Sequence, residues 1–314
     1  MANDLSGAAL IAVDWGTSRL RAFLLDREGR ELAEADSDAG IARITAGGHE
    51  DVFERLVAGW PKLPAIMAGM IGSRQGWREA AYLPCPASPA GLAERTLRFT
   101  TTGGRAVTIV PGVMLRSPIR DGDVIRGEET QVIGLLGRDP RFEGVVILPG
   151  THSKWATVGG GALADFQTFL TGEMFELLSK HSFLRHSVAE GGAELSTLPD
   201  FGLAVKRMVV EGLPFLAAIF SVRVRQLLDN VTREDNLAYL SGLVIGGEIA
   251  AAKATGRLMP GAVPRIIGNR SLARAYHRAF EVAGHATETL DGKEMVLAGL
   301  THLARATGLL PAQG

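Results

Sequence analysis

The sequence is short of cysteine and of net charge, and each shortage excludes a class of function. A single cysteine in 314 residues, Cys85, cannot close an intramolecular disulfide or supply a cysteine-based zinc site. A reducing cytoplasm is the compartment that suits such a chain. Thirty-three basic residues against 34 acidic ones leave a formal net charge of −1, so nothing in the overall balance attracts nucleic acid or an anionic membrane. Any anion site must therefore be local. There is no basic stripe, no appended helix-turn-helix and no long separate peptide-binding segment, which counts against a regulator or a chaperone. Neither a GxxxxGKS/T phosphate loop nor a GxGxxG strand-turn-helix fingerprint occurs, so a nucleotide would have to be held by another device. The opening MANDLSGAAL carries an acid and no basic region before its apolar run. It indicates neither a signal peptide nor a membrane span, and the mature chain is expected to start here.

What is present reads as an ordinary folded protein, with 46% hydrophobic and 21% charged residues. The length exceeds what one hydrophobic core usually serves, which predicts two lobes with a cleft between them. ALIAVDW, RLRAFLLD and ELAEADS read as a three-stranded meander, His49 to Gly59 as a helix, and PAIMAGMIG as a buried strand running into a glycine-rich turn. PCPASPAGL is too proline-rich to continue regular structure and is expected to be a loop. RDGDVIRGEETQVIGLL places acids directly ahead of a helical stretch, where they suit the helix dipole. GVVILPGTHSKWATVGGGALADFQTFL then repeats the opening device of apolar strand, glycine turn and polar-faced second strand. Helical spacing dominates from Gly172 to about Lys253, before PRIIGNRSLARAY returns to strand, turn and helix and EMVLAGLTHLARATG closes as an amphipathic helix. The fold class is α/β.

The turns GTSR and GTHSK have the same chemistry. In each, a glycine allows close backbone approach, hydroxyls can donate, and a cation follows, which is what a phosphate needs. A decorated hairpin would look the same for either turn alone.

The pair IAVDWGTSRLRAFLLD and VILPGTHSKWATV, followed by RIIGNRSLARAY, resembles the two phosphate motifs and the adenosine motif of the superfamily of sugar kinases, actin and heat-shock chaperones. More narrowly, GMIGSRQGW, RGEETQVIGLL, LPGTHSKW and TGEMFELLSKHS resemble the 2-dehydro-3-deoxygalactonokinase family, in blocks spread over nearly the whole chain. The resemblance implies an actin-like ATPase fold with ribonuclease H-like βββαβα cores in two lobes facing a central cleft. It implies residues 1–127 as an N-terminal lobe for sugar and phosphate, completed by a C-terminal helix over 293–314, and residues 128–292 as a nucleotide lobe. ATP and Mg²⁺ are the implied cofactors. A small sugar acid is the implied partner, with at most a second copy of the chain beside it, and with no nucleic acid or membrane.

Phosphoryl transfer needs neutralised phosphate charge, a bridging metal and a proton acceptor for the attacking hydroxyl, and the implied roles follow those needs. Asp14 is the metal candidate, or else caps its own turn. Gly16, Thr17 and Ser18 would donate to the transferred phosphate, with Arg19 adding charge or projecting into solvent. Gly150, Thr151, His152, Ser153 and Lys154 would form the second clamp, and Gly268 with Asn269 the adenosine end. The proton acceptor is Glu129, then Glu128, then Asp123; the glutamate pair could equally serve the helix dipole alone. A 2-keto acid brings a permanent carboxylate, for which Arg74 is first choice and Arg126 second, with Ser73 and Trp15 alongside; Arg74 could instead pair with Glu79. The expected reaction is ATP-dependent phosphorylation of the 6-hydroxyl of 2-dehydro-3-deoxy-D-galactonate, in galactonate catabolism. A kinase for another small sugar or sugar acid, or an ATP-switched sugar-sensing protein of the same fold, is the alternative.

Overall fold

The computed structural model describes residues 5–116, 121–192 and 194–312. The chain divides into two compact units, the first comprising Met1–Glu143, Val158–Asp165 and Lys293–Gly314 and the second Gly144–Thr157 and Phe166–Gly292.

In the first unit, β1 (Ala8–Trp15), β2 (Leu20–Asp26) and β3 (Glu31–Ser37) form the meander that the alternation predicts, followed by α1 (His49–Leu56) and β4 (Ala65–Gly69). β1 pairs antiparallel with β2 and parallel with β4, so it is central, and its Leu10–Val13 run is wholly buried, as a two-sided core strand should be. β3 lies at the sheet edge and carries Glu31, Glu34 and Asp36, charges that discourage edge-to-edge pairing. The unit continues through β5 (Leu83–Pro84), α2 (Pro89–Glu94), β6 (Leu97–Thr100), β7 (Ala106–Ile109), β8 (Val113–Leu115), β9 (Asp123–Ile125) and α3 (Glu128–Arg138). The proline-rich stretch expected to be only a loop thus starts a short helix. Ser88 accepts the Gly91 N–H as its N-cap, and Pro89 occupies the first turn, where a missing N–H costs nothing.

The second unit opens with β10 (Gly144–Leu148), β11 (Ser153–Gly159) and β12 (Ala162–Phe169), the far ends of the last two strands belonging to the first unit. Helices α4 (Thr171–Glu176), α5 (Pro199–Val209), α6 (Phe215–Leu228) and α7 (Arg233–Ala254) follow, then β13 (Arg265–Gly268), α8 (Arg270–Val282) and β14 (Glu288–Asp291). α7 is the one helix among the described residues long and apolar enough to cross a membrane, and 67% of its apolar window is buried, as a core helix requires. Thr232 caps it by accepting the Asp235 N–H.

The two principal sheets share one strand order. The first runs β3-β2-β1-β4-β7-β6 and the second β12-β11-β10-β13-β14, with β4–β7, β10–β13 and β13–β14 parallel. Taken in chain order within each unit, both follow a 3-2-1-4-5 pattern, to which the first adds one antiparallel edge strand. The device read twice in the sequence is therefore a repeated sheet topology.

The last helix, α9 (Gly292–Ala306), rejoins the first unit at Lys293. It packs on α3 so closely that a Cβ on Gly299 would lie 1.9 Å from the Thr130 carbonyl oxygen and one on Gly134 2.0 Å from that of Met295. This packing is why α3 groups with the first unit, whereas the sequence reading places a boundary at 127/128.

Candidate active site

In the first unit, functional side chains gather where β1 and β4 end and α3 begins. Glycines make this convergence possible. Gly69 has φ +96 and a Cβ there would sit 2.6 Å from the Trp15 carbonyl oxygen, while Gly127, at φ +113, would place a Cβ 3.3 Å from the Gly69 Cα. Any larger residue at either position would be strained and would push the three segments apart.

Asp14, one residue before the end of β1, faces Arg21 across the β1–β2 ladder and accepts from its Nη2 at 2.5 Å. Its side chain remains partly exposed, so a carboxylate stands at the strand end. After it, Gly16 donates to the Arg19 carbonyl, and the carbonyls of Gly16 and Thr17 accept from Ile41 and Ala42, which fixes the shape of the Gly16–Ser18 turn. Arg19 is exposed and shared between Asp36 at 3.7 Å and Asp38 at 3.6 Å. Trp15 differs from its expected place at the substrate. Its ring is fully buried against His49, and its indole N–H donates to the Ala39 carbonyl at 2.9 Å, so it anchors the turn from beneath.

The acids ahead of α3 behave differently from one another. Asp123 accepts from the Val124 N–H at the start of β9. Glu128 accepts from the Arg126 N–H at 3.2 Å. Glu129 is buried, 1% exposed, and accepts from the Gly127 N–H at 2.6 Å and the Thr130 hydroxyl at 3.2 Å. Desolvation, reinforced by the neighbouring Glu128 charge, pushes its pKa up to about 7 against the pull of backbone donors and Arg126. The result is a buried carboxyl that exchanges its proton near neutrality.

Of the carboxylate candidates, Arg74 is strongly exposed and donates to Glu79 at 3.1 Å, the surface pair that is worth little energetically. Ser73 and Arg126 are buried.

The second unit holds the other clamp. The turn Gly150–Ser153 links β10 to β11 and is tied to α4, because Glu173 donates its N–H to the Thr151 carbonyl at 2.9 Å and its carboxylate meets His152 Nε2 at 2.6 Å. Lys154 is buried and turns back to donate to the His152 carbonyl at 2.7 Å. The Ser153 hydroxyl also points inward rather than out to a phosphate, donating to Glu248 at 2.7 Å. Asn269 caps α8 by accepting the Leu272 N–H at 3.0 Å, and Gly268 lies against Pro149. Beside these residues opens a cavity of about 170 Å³, lined by Gly150, Thr171, Leu195, Ser271, Ala275 and Tyr276 among others. Its wall is mostly apolar with a few hydroxyls, the lining that suits a flat heteroaromatic base and a sugar.

Glu248 is the residue the sequence reading missed. Its buried carboxylate collects four side-chain donors: Ser153 Oγ at 2.7 Å, Trp155 Nε1 at 2.7 Å, Tyr276 Oη at 2.6 Å and Thr171 Oγ1. Burial pushes its pKa up and the four donors pull it back. It thereby joins the start of β11, α4 and α8 through α7. The available signal was a lone glutamate inside the apolar run VIGGEIAAA, since a carboxylate in a core helix needs partners. The adjoining Gly246 and Gly247 pack on Met208 and Phe215, so they serve helix packing.

The chain as a whole is similar to known proteins. A sequence profile described as 2-keto-3-deoxy-galactonokinase matches residues 14–303. The chain belongs to the 2-keto-3-deoxy-galactonokinase family. It is 32% identical to the 2-dehydro-3-deoxygalactonokinase of Escherichia coli over 304 residues, covering 95% of this chain and 98% of that one. It is 37% identical over 300 residues to a Rhizobium meliloti protein named "Probable 2-dehydro-3-deoxygalactonokinase DgoK1", covering 94% and 96% of the two chains. A crystal structure of a Sinorhizobium meliloti protein assigned as 2-dehydro-3-deoxygalactonokinase superposes with a TM-score of 0.88 at 36% identity, over 95% of this chain and 98% of that one. At 13% identity, the activator of 2-hydroxyisocaproyl-CoA dehydratase from Clostridium difficile, solved with bound ADPNP, superposes with a TM-score of 0.51 over 95% and 96% of the chains. That likeness places the 2-keto-3-deoxy-galactonokinase chain in the actin-like ATPase fold.

Proposed function

We propose that this chain is an ATP-dependent phosphotransferase with an alcohol acceptor, phosphorylating the 6-hydroxyl of 2-dehydro-3-deoxy-D-galactonate to give the 6-phosphate and ADP. Family membership supports the substrate. The observation that carries the chemistry is Glu129, a buried carboxyl at the start of α3 with a pKa about 7, held by the Gly127 N–H and the Thr130 hydroxyl. General-base catalysis is most effective when the base titrates near the working pH, and the attacking hydroxyl must lose its proton as the new P–O bond forms. Glu128, whose carboxylate is occupied with the Arg126 N–H, keeps Glu129 proton-affine by like-charge repulsion.

The nucleotide belongs to the second unit in this reading, its base and ribose in the cavity beside Tyr276 and its phosphates toward the Gly150–Ser153 backbone. Ser153 and Lys154 hold that backbone from behind, and Glu248 sets the position of Ser153, Thr171 and Tyr276 together. The Gly16–Ser18 turn supplies backbone and hydroxyl donors at the end of β1. Asp14, partly exposed at a strand terminus, fits the one-carboxylate attachment that Mg²⁺ commonly accepts, because this ion keeps most of its waters. Held by Asp14, Mg²⁺ would supply positive charge that neutralises phosphate. The presence of a single cysteine is in keeping with a cytoplasmic enzyme.

A coupled ADP-release assay across 2-keto-3-deoxy sugar acids and neutral hexoses tests the reading. Sugar-acid-dependent ADP release is expected. Activity on neutral sugars alone, or ATP hydrolysis indifferent to sugar, would refute it.

A further inference from the structure

Buried polar atoms in folded proteins nearly always have a partner, so an exception asks for an explanation. Two of the exceptions among the described residues lie together in the first unit, on Ser73 and Arg126. The Ser73 Oγ is buried with no partner, and so are Nε and Nη1 of Arg126. Their segments adjoin, since a Cβ on Gly72, the residue before Ser73, would lie 2.8 Å from Arg126 Nη1. Both residues are more than nine-tenths buried, at 6% and 8% exposure.

The guanidinium is nonetheless held firmly in place. Its Nη2 donates to the Ala80 carbonyl at 2.8 Å, Ala80 in turn donates to the Gly72 carbonyl at 2.9 Å, and the group lies over the Tyr82 ring at 4.3 Å from its centroid. It is fixed on one edge and one face. The Nε–H and the two Nη1–H bonds are left as oriented donors without an acceptor, and the hydroxyl of Ser73, the residue after the Gly72 contact, is in the same condition. Three charge-assisted donors and one hydroxyl match a carboxylate with an oxygen on the adjacent carbon, which is what a 2-keto acid or its hemiketal presents. Among the described residues no group accepts from Arg126 Nε or Nη1, and Glu128 accepts from the Arg126 backbone N–H.

We propose that Arg126, with Ser73, binds the C1 carboxylate of the substrate and makes the enzyme selective for sugar acids over neutral sugars, while Arg74 lies outside the site. The inference rests on the function proposed above and names the recognition element it requires. Arg126 stands three residues before Glu129, so one short segment would read the acid end of a six-carbon substrate and deprotonate its hydroxyl end.

The test compares kcat/KM for 2-dehydro-3-deoxy-D-galactonate and for its neutral C1 carboxamide in wild type, Arg126→Gln, Arg126→Lys, Ser73→Ala and Arg74→Gln. Wild type should prefer the acid strongly. Arg126→Gln should lose roughly 10²–10³-fold on the acid, mostly through KM, but change little on the carboxamide and keep its KM for ATP. Arg126→Lys and Ser73→Ala should each raise the KM for the acid about tenfold, and they carry the test if Arg126→Gln does not fold. Arg74→Gln should keep the wild-type preference. Equal losses on both substrates, an undiminished acid preference in the Arg126 and Ser73 variants, or collapse of that preference in Arg74→Gln would overturn the assignment and leave the kinase reading standing. A wild-type enzyme that turns over neither compound would remove the kinase reading and this inference with it.

Discussion

Each unit buries one glutamate in its site region, and the two are solved in opposite ways. Glu248 in α7 receives four side-chain donors from three other segments, which offset part of the upward pull of burial on its pKa and make it a fixed hub. Glu129 in α3 receives one backbone N–H and one hydroxyl and stands next to a second carboxylate, so it keeps a high affinity for a proton. The same residue type is structural where its lone pairs are filled and chemically available where they are not. The donor count, more than the burial, separates the two roles.

Substituting each glutamate should break that comparison cleanly. Glu129→Gln should lower kcat by about 10³-fold, within the range that general-base groups contribute, while leaving the KM for ATP near wild type; steady-state kinetics on the purified variant decides this. Asp14→Asn should follow with a loss of about 10²-fold in turnover and an intact far-ultraviolet circular dichroism spectrum. Unaltered turnover there would remove Asp14 from the metal role. Glu248→Leu leaves four donors without an acceptor, which should cost at least about 3 kcal/mol of stability in chemical denaturation. Glu248→Gln, which can still accept two of the four bonds, should unfold at a higher denaturant concentration than Glu248→Leu and show a raised KM for ATP with a smaller change in kcat.

The proton affinity of Glu129 has a thermodynamic signature with a definite sign. Its folded pKa, about 7, lies above the ordinary 4.5, so between those values the native state binds more protons than the unfolded state. Stability from this group is therefore complete below about pH 4.5 and is lost as pH rises through about 7, to a total on the order of 3 kcal/mol. Glu129→Gln should lack this slope and be the more stable protein at pH 8, exchanging activity for stability. Urea unfolding at pH 5 and pH 8 for both proteins measures it. The smallest effect is expected at the exposed Arg74–Glu79 pair, where Glu79→Gln should change stability by less than about 0.5 kcal/mol.

The sequence makes the strands and their order of appearance readable because burial on both faces of β1 and β10 demands continuous apolar runs, and the turns after them carry visible glycine and hydroxyl signals. The 3-2-1-4-5 sheet order is not visible in periodicity and comes into view only through the family resemblance. The site is legible as segments and much less so as side-chain directions. Trp15, Ser153 and Lys154 lie in the right turns, but their side chains turn inward, to the Ala39 carbonyl, Glu248 and the His152 carbonyl. Arg74 and Arg126 cannot be ranked from spacing, since only the burial of one and the Glu79 partner of the other distinguish them. Glu248 was hidden because its four donors lie 28 to 95 residues away in the chain.

The pH dependence of kcat/KM for the sugar acid, measured in wild type and in Glu129→Gln, tests the central claim most directly. Wild type should rise along a single ionisation near pH 7 to a plateau, and the residual activity of Glu129→Gln should show no such limb. The same rising limb, undisplaced in Glu129→Gln, would contradict the assignment of Glu129 as the proton acceptor.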